Sequence, residues 1–213
     1  EALGAALIER VGMYIIPNTA AMLLKWLLDN VASIRKGVEK EEACFGTVNS
    51  WLLWKLTGGE AHSSDMANMS ITLLQDARKL AYDDELRDYL KIPEKILPEL
   101  KGTGEIFGKT AKYLFSNERI PVAGMLGDQM ASALGQGCVK AGMVKNTYGT
   151  GSFSLVNTGS TYIPPANGLF SPFLWGDQKN RTYGLEGFSE TCGAAVDWLQ
   201  NNMKLIGHPS ETE

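Results

Sequence analysis

Apolar positions change their spacing part-way along the chain, from a helical rhythm to an alternating one. Over residues 20–30 they fall at Met22, Leu23, Trp26 and Leu27, the spacing of one helical face, and predict a helix there. Trp51, Leu52, Trp54, Lys55 and Leu56 repeat the pattern, and Thr57-Gly58-Gly59 supplies the stop. Asp83 to Leu90 reads as an acid-led helix ending before Ile92-Pro93, with Pro93 and Pro98 bracketing a short turn. The run Ile120-Pro121-Val122-Ala123-Gly124-Met125 predicts a buried strand over 120–126 that leads to a loop at Asp128, with a helix from Gln129 to Leu134. Further on, 144–148 and 152–156 read as the strands of a hairpin turned at Gly149-Thr150-Gly151, 182–186 as another strand and 194–202 as a helix. The change of character at 135–142, with glycines at 135, 137 and 142, is the one candidate boundary and divides the chain into 1–138 and 139–213.

Length and charge narrow the function classes. A chain of 213 residues can bury a substantial core as one or two domains. A net charge of −4 argues against a broad electrostatic footprint for nucleic acid or anionic lipid. Cys44, Cys138 and Cys192 are far apart and lack metal-ligand spacing, so each is expected to be a small buried residue. With only His62 and His208 a histidine-rich metal site is not expected. No apolar run of about 18 residues is present and Glu1 stands where a signal peptide would be basic, so the expected compartment is the cytoplasm.

Candidate chemistry lies in two places. Gly127-Asp128-Gln129 sets a lone carboxylate beside glycine, and about twenty residues on comes Asn146-Thr147-Tyr148-Gly149-Thr150-Gly151-Ser152-Phe153. Phosphoryl transfer asks a protein for positioning, charge stabilisation and one group to accept a hydroxyl proton. Asp128 suits the last role, and the N–H groups and hydroxyl around Gly149, Thr150 and Gly151 suit phosphate oxygens. On spacing alone, ordinary turns are the better reading of both, since Gly-Asp is a common turn pair and Gly-Thr-Gly a common hairpin tip. Gly102 to Gly108 is one residue too long for a dinucleotide fingerprint, and Gly151-Ser152 lies between strands rather than before a helix, as a nucleophile elbow would require.

The wording around these residues adds more. Gly127-Asp128-Gln129, Gly135-Gln136, Gly142-Met143 and Lys145 to Gly151 resemble the FGGY family of carbohydrate kinases, and within it the glycerol kinases most closely. Leu24 to Asn30, Phe45 to Gly58, Ser64 to Ser70, Leu185-Glu186-Gly187 and Gly193-Ala194 agree with the family in order and approximate spacing. The resemblance implies an α/β, actin-like ATPase (ribonuclease H-like) fold. By it, 1–138 is the C-terminal part of the first kinase domain and 139–213 the start of the second, an internal stretch of a longer kinase that is not expected to turn over alone.

The implied activity is transfer of the ATP γ-phosphate to a polyol or sugar hydroxyl, with glycerol favoured, ATP and magnesium as cofactors, and the metal ligands largely outside this stretch. By resemblance Asp128 is the general base, Gln129 a hydrogen-bond partner of the polyol and Phe153 an apolar wall of its pocket. Gly149 and Thr150 match the phosphate turn, and Gly193 and Asp197 two later nucleotide contacts. Position 197 departs from the glutamine usual in glycerol kinases, and Asn18 stands where a substrate-contacting tyrosine is expected. Asn18 favours a ketose or longer polyol as the acceptor, whereas Asn146 to Thr150 favours glycerol. A nucleotide-binding module without catalysis is the competing class, and Asp128 speaks against it. A homo-oligomer is compatible with the resemblance.

Overall fold

A computed structural model describes residues 2–212 of the chain. Helices α1 (Ala2–Val11), α2 (Ala20–Asn30), α3 (Ala32–Glu39) and α4 (Val48–Thr57) follow one another, and β1 (Ser63–Asp65) then runs directly into the short α5 (Met66–Ser70). β2 (Gln75–Asp76) and β3 (Ala81–Tyr82) form a small antiparallel pair before α6 (Asp84–Tyr89), and β4 (Glu99–Lys101) returns parallel to β1. β5 (Gly108–Lys109) pairs antiparallel with β6 (Pro121–Val122), and the chain passes from there into α7 (Asp128–Gly135). Next come β7 (Val144–Tyr148), β8 (Ser152–Gly159), β9 (Phe173–Gly176) and β10 (Arg181–Ser189), a four-stranded antiparallel sheet in the order β7-β8-β10-β9, and then α8 (Gly193–Asn201).

Side-chain chemistry explains several of these boundaries. The Asp65 carboxylate accepts the N–H groups of Ala67 and Asn68 at 3.1 and 3.2 Å and so starts α5. Asp83 starts α6 by accepting the Leu86 N–H at 2.8 Å, and it also pairs with Arg10 of α1. α4 stops where Gly58 takes φ +68°, a left-handed conformation that glycine adopts without strain.

Two apolar clusters hold the elements together. Val11, Leu24, Met69, Leu73, Leu86 and Ile92 join α1, α2, α5 and α6. Met66 and Ala67 of α5, Met130 and Ala133 of α7, and Leu155, Phe173 and Tyr183 of the sheet form the second. Cys138 belongs to this second cluster, so residues on both sides of the expected boundary share a core.

The structure corrects several sequence expectations. α2 buries Ala21 and Leu24 and leaves Leu23 and Trp26 exposed, and α4 buries Ser50, Leu53 and Thr57 while Trp51 and Trp54 face outward. Both helices are apolar on more than one side, so spacing marks the helix and the packing partners choose the face. The buried strand expected over 120–126 shrinks to Pro121–Val122, with Ile120 exposed. Pro121 has no N–H to donate and the partner strand is only two residues long. Cys44 is exposed and Cys192 half-buried, which leaves Cys138 as the buried cysteine.

Candidate active site

Asp128, expected in a loop, is instead the first residue of α7. Gly127 precedes it in an extended conformation, and its carbonyl accepts the Ala131 N–H at 2.8 Å, the first bond of the helix. The carboxylate therefore sits at the N-terminal end of the helix, where it accepts the Gln129 N–H at 2.7 Å. A Cβ at position 127 would stand 3.2 Å from Asn68 Oδ1, so the elbow packs closely on α5. Asn68 in turn donates to Asp65, and Asn49 donates to Ser64 Oγ at 2.8 Å. Burial pushes the Asp65 carboxyl upward, against the hydrogen bonds from Asn68 and Ala67.

The floor beneath α7 is set by strand register. Lys145 pairs with Leu155, and Leu155 with Glu186, so one row across β7, β8 and β10 carries all three on one face. Two residues along, Thr147, Phe153 and Phe188 form the next row on that face. Phe153 stacks on Phe188 with ring centroids 5.5 Å apart, which suits the apolar wall expected of it. Gln129 is half-buried, and its side-chain oxygen accepts a hydrogen bond from Lys145 Nζ. Lys145 is 2% exposed and Glu186 7%. Burial lowers the Lys145 pKa, and the charges of Glu186 and Asp128 oppose that shift. Burial pushes Glu186 up to about 7, with Lys145 opposing and Asp128 adding to the rise.

The hairpin turn closes at the far end of β7. Gly149 N–H donates to Gly151 O at 2.8 Å, while the N–H groups of Thr150 and Gly151 and the Thr150 hydroxyl have no partner among the described residues. α8 begins against this turn. Gly193 N–H donates to Gly149 O at 2.9 Å and Ala194 N–H to Thr150 O at 3.2 Å. A Cβ at 193 would lie 2.7 Å from Gly149 O, so only glycine lets the two backbones meet here. The structure thus brings Gly149, Thr150 and Gly193 together, and Asp128, Gln129 and Phe153 around one face of the sheet. Asp197 lies exposed one helical turn beyond Gly193. Asn18 is exposed in the turn ahead of α2.

The family follows from sequence comparison. The model of the N-terminal domain of the FGGY family of carbohydrate kinases matches residues 1–135. The chain belongs to the FGGY family. This FGGY chain is 42% identical to a glycerol kinase of Bacillus cytotoxicus and 43% to one of Halothermothrix orenii, each over 205 residues that cover 96% of the chain and 41% of the relative. The crystal structure of Plasmodium falciparum glycerol kinase with ADP matches it with a TM-score of 0.89 at 33% identity, over 97% of the chain and 41% of that structure. A xylulose kinase from Rhodospirillum rubrum, 20% identical over 92% of the chain and 39% of that structure, shares the fold with a TM-score of 0.78. The α/β actin-like fold is therefore that of the FGGY kinases. The chain spans about two-fifths of the length of the curated relatives it matches.

Lys145, Glu186 and Thr147 do not stand out from sequence as site residues. Thr147 Oγ1 and Glu186 Oε1 are buried without a hydrogen-bond partner. On β7 the alternation is inverted, with Val144 exposed and Lys145 buried, so a polarity rule turns this strand the wrong way. The usable signal is register, because Lys145, Thr147 and Phe153 share a face once the turn at 149–151 is fixed.

The raised Glu186 pKa makes a stability prediction. Between its ordinary 4.5 and about 7 the unfolded chain has released a proton that the folded chain keeps. Stability therefore falls as pH rises through that window and levels off above it, by at most about 3 kcal/mol. Denaturant midpoints between about pH 4.5 and about pH 7.5 should fall more steeply for the native sequence than for Glu186→Gln. Parallel profiles would remove Glu186 as the source.

Proposed function

We propose that the chain is part of an ATP-dependent kinase that transfers the γ-phosphate to a hydroxyl of a small polyol, with glycerol the acceptor and glycerol 3-phosphate the product. One observation carries the reading: the Asp128 carboxylate at the head of α7 and the donor-rich Gly149–Gly151 turn are served by the same strand, β7. Asp128 accepts the acceptor's hydroxyl proton, the oxygen attacks the γ-phosphorus, and the bond to the departing ADP breaks. Gln129 orients the acceptor through hydrogen bonds, and Phe153 stacked on Phe188 covers its carbon face. The free N–H groups at 150 and 151 and the Thr150 hydroxyl fit phosphate oxygens. Gly193 holds the turn in place, and Asp197, being anionic, faces the ribose hydroxyls rather than the phosphates.

Magnesium, when bound, neutralises phosphate charge. Among the described residues no group of three or more His, Cys, Asp and Glu is placed to hold it. Residues 1–138 belong on this reading to the first kinase domain and 139–213 to the second. No helix of the described residues is long and apolar enough to cross a membrane, and we place the enzyme's work in the cytoplasm.

An acceptor screen on the full-length protein carrying this sequence tests the substrate. Glycerol is expected to give the highest kcat/KM. A ketose or longer polyol preferred by more than about tenfold would replace glycerol while leaving the transferase reading intact, and would direct attention to Asn18.

A further inference from the structure

The stretch that carries Asp128 into α7 is held by polar side chains of β1, α4 and α5. Asp65, the last residue of β1, is fully buried. Its Oδ2 accepts the N–H groups of Ala67 and Asn68, and its Oδ1 accepts the Asn68 side-chain amide at 2.5 Å. A carboxylate that takes these donors offers none in return, so the Asn68 Nδ2 must face Asp65 and the Asn68 Oδ1 must face away from it. That oxygen lies against Gly127, 3.2 Å from where a Cβ would stand. A second arm comes from α4. Asn49 Nδ2 donates to Ser64 Oγ and to Met125 Sδ, each at 2.8 Å, and lies 3.4 Å from Asp65 Oδ1. Met125, two residues before Gly127, also donates its N–H to Thr103 O at 3.0 Å.

Starting α5 does not need this arrangement. A serine or asparagine cap starts a helix without a buried carboxylate, and burying one is costly unless its oxygens are bonded. What two acceptor oxygens add is a hold on Asn68 at two points, its backbone N–H and its side-chain amide. Gly127 has φ −67°, a conformation open to any residue, so it is the Asn68 amide and not backbone strain that keeps a side chain from position 127.

We propose that Asp65 and Asn68 are positioning residues: pinned by both oxygens of Asp65, the Asn68 amide is a fixed stop behind Gly127 that sets the angle at which α7 begins and so aims the Asp128 carboxylate. The inference rests on Asp128 being the base. It acts through contact at each step, from Asp65 to Asn68 by hydrogen bonds and from Asn68 to Gly127 by close packing, and Gly127 is bonded directly to Asp128.

A double-mutant cycle on the full-length protein tests it. Gly127→Ala drives a methyl against the pinned amide and should lower kcat by about fivefold, with KM for ATP within about twofold of normal because the Gly149–Gly151 turn is not touched. Asn68→Ala removes the stop and should lower kcat by about threefold, again with little change in KM for ATP. The two effects should not multiply. With the amide gone the new methyl has room, so the double variant should turn over at least as fast as Gly127→Ala alone instead of falling about fifteenfold below normal. Asp65→Asn, which replaces one acceptor oxygen by a donor group, frees the Asn68 amide and should relieve Gly127→Ala in the same way. A helix cap with no part in positioning would lower activity only with the folded fraction and leave the effects at 68 and 127 multiplicative.

Multiplying effects in folded variants, or a Gly127→Ala kcat within about twofold of normal, would overturn the proposal. If Gly127→Ala does not fold, recovery of the fold on adding Asn68→Ala supports the proposal and continued failure to fold overturns it. Asp128→Asn separates the two levels. Near-normal turnover in that variant defeats the base assignment itself, whereas lost turnover together with multiplying effects at 68 and 127 defeats only the present inference.

Discussion

Turnover in the full-length protein should fall by about 10²–10⁴ on Asp128→Asn, with ATP affinity little changed. The substitution keeps the side chain's shape at the head of α7 and its place above β7, and removes only its capacity to take a proton. The turn proposed for phosphate is untouched, because the donors it offers are backbone groups and the Thr150 hydroxyl. Steady-state rates and nucleotide titration on the same preparation separate the two effects. A variant that turns over normally would take Asp128 out of the mechanism.

Gly193→Ala is expected to have the second largest effect, through geometry. The new Cβ would lie 2.7 Å from Gly149 O, a backbone atom that no side-chain rotation can move aside. Relieving that contact pushes α8 away from the hairpin and breaks the bond from Gly193 N–H to Gly149 O. The expected cost is about 1–3 kcal/mol of stability. KM for ATP should rise by about tenfold or more, because the turn loses the support that shapes it. Gly4→Ala is the matched control: it lies in α1, where the added methyl would meet nothing within 4 Å among the described residues. It should leave both quantities unchanged or raise stability slightly. Equal behaviour of the two variants would show that the contact at 193 is not what holds the turn.

The hairpin is legible in the sequence because its signal is local. Glycines at 149 and 151 between alternating strands admit few other arrangements, and the observed strands meet at that turn, with β8 running on to Gly159. Helices α2, α4, α6, α7 and α8 are legible for the same reason, each marked by periodicity or a stop. What periodicity does not supply is the inward side of α2 and α4, since tryptophan and leucine occur on several sides of both and only tertiary neighbours choose among them. The strand at β6 is shorter than its apolar run suggests because such a run implies burial only where a partner strand exists. α3 and β9 carry too little pattern to be seen.

At the site, Asp128 and the turn are visible as residue types in glycine-rich settings, and the resemblance to FGGY kinases attaches roles to them. The floor is not visible. Lys145 and Glu186 are 41 positions apart in sequence, and only the pairing of both with Leu155 puts them in one row. A lysine inside an apolar-looking strand reads as solvent-facing until the register is known.

The outer edge of β7 has a practical meaning for anyone concentrating this protein. β7 is the end strand of its sheet, and Val144 and Tyr148 are 61% and 76% exposed on the side away from the site. An end strand with apolar outward residues is a template on which another chain can lay down a strand, the route by which folded proteins begin to form fibrils. Val144→Lys would set like charges against each other in any such stack. The inward row of Lys145 and Thr147 would be untouched, so solubility and chemistry can be engineered on opposite faces of one five-residue strand.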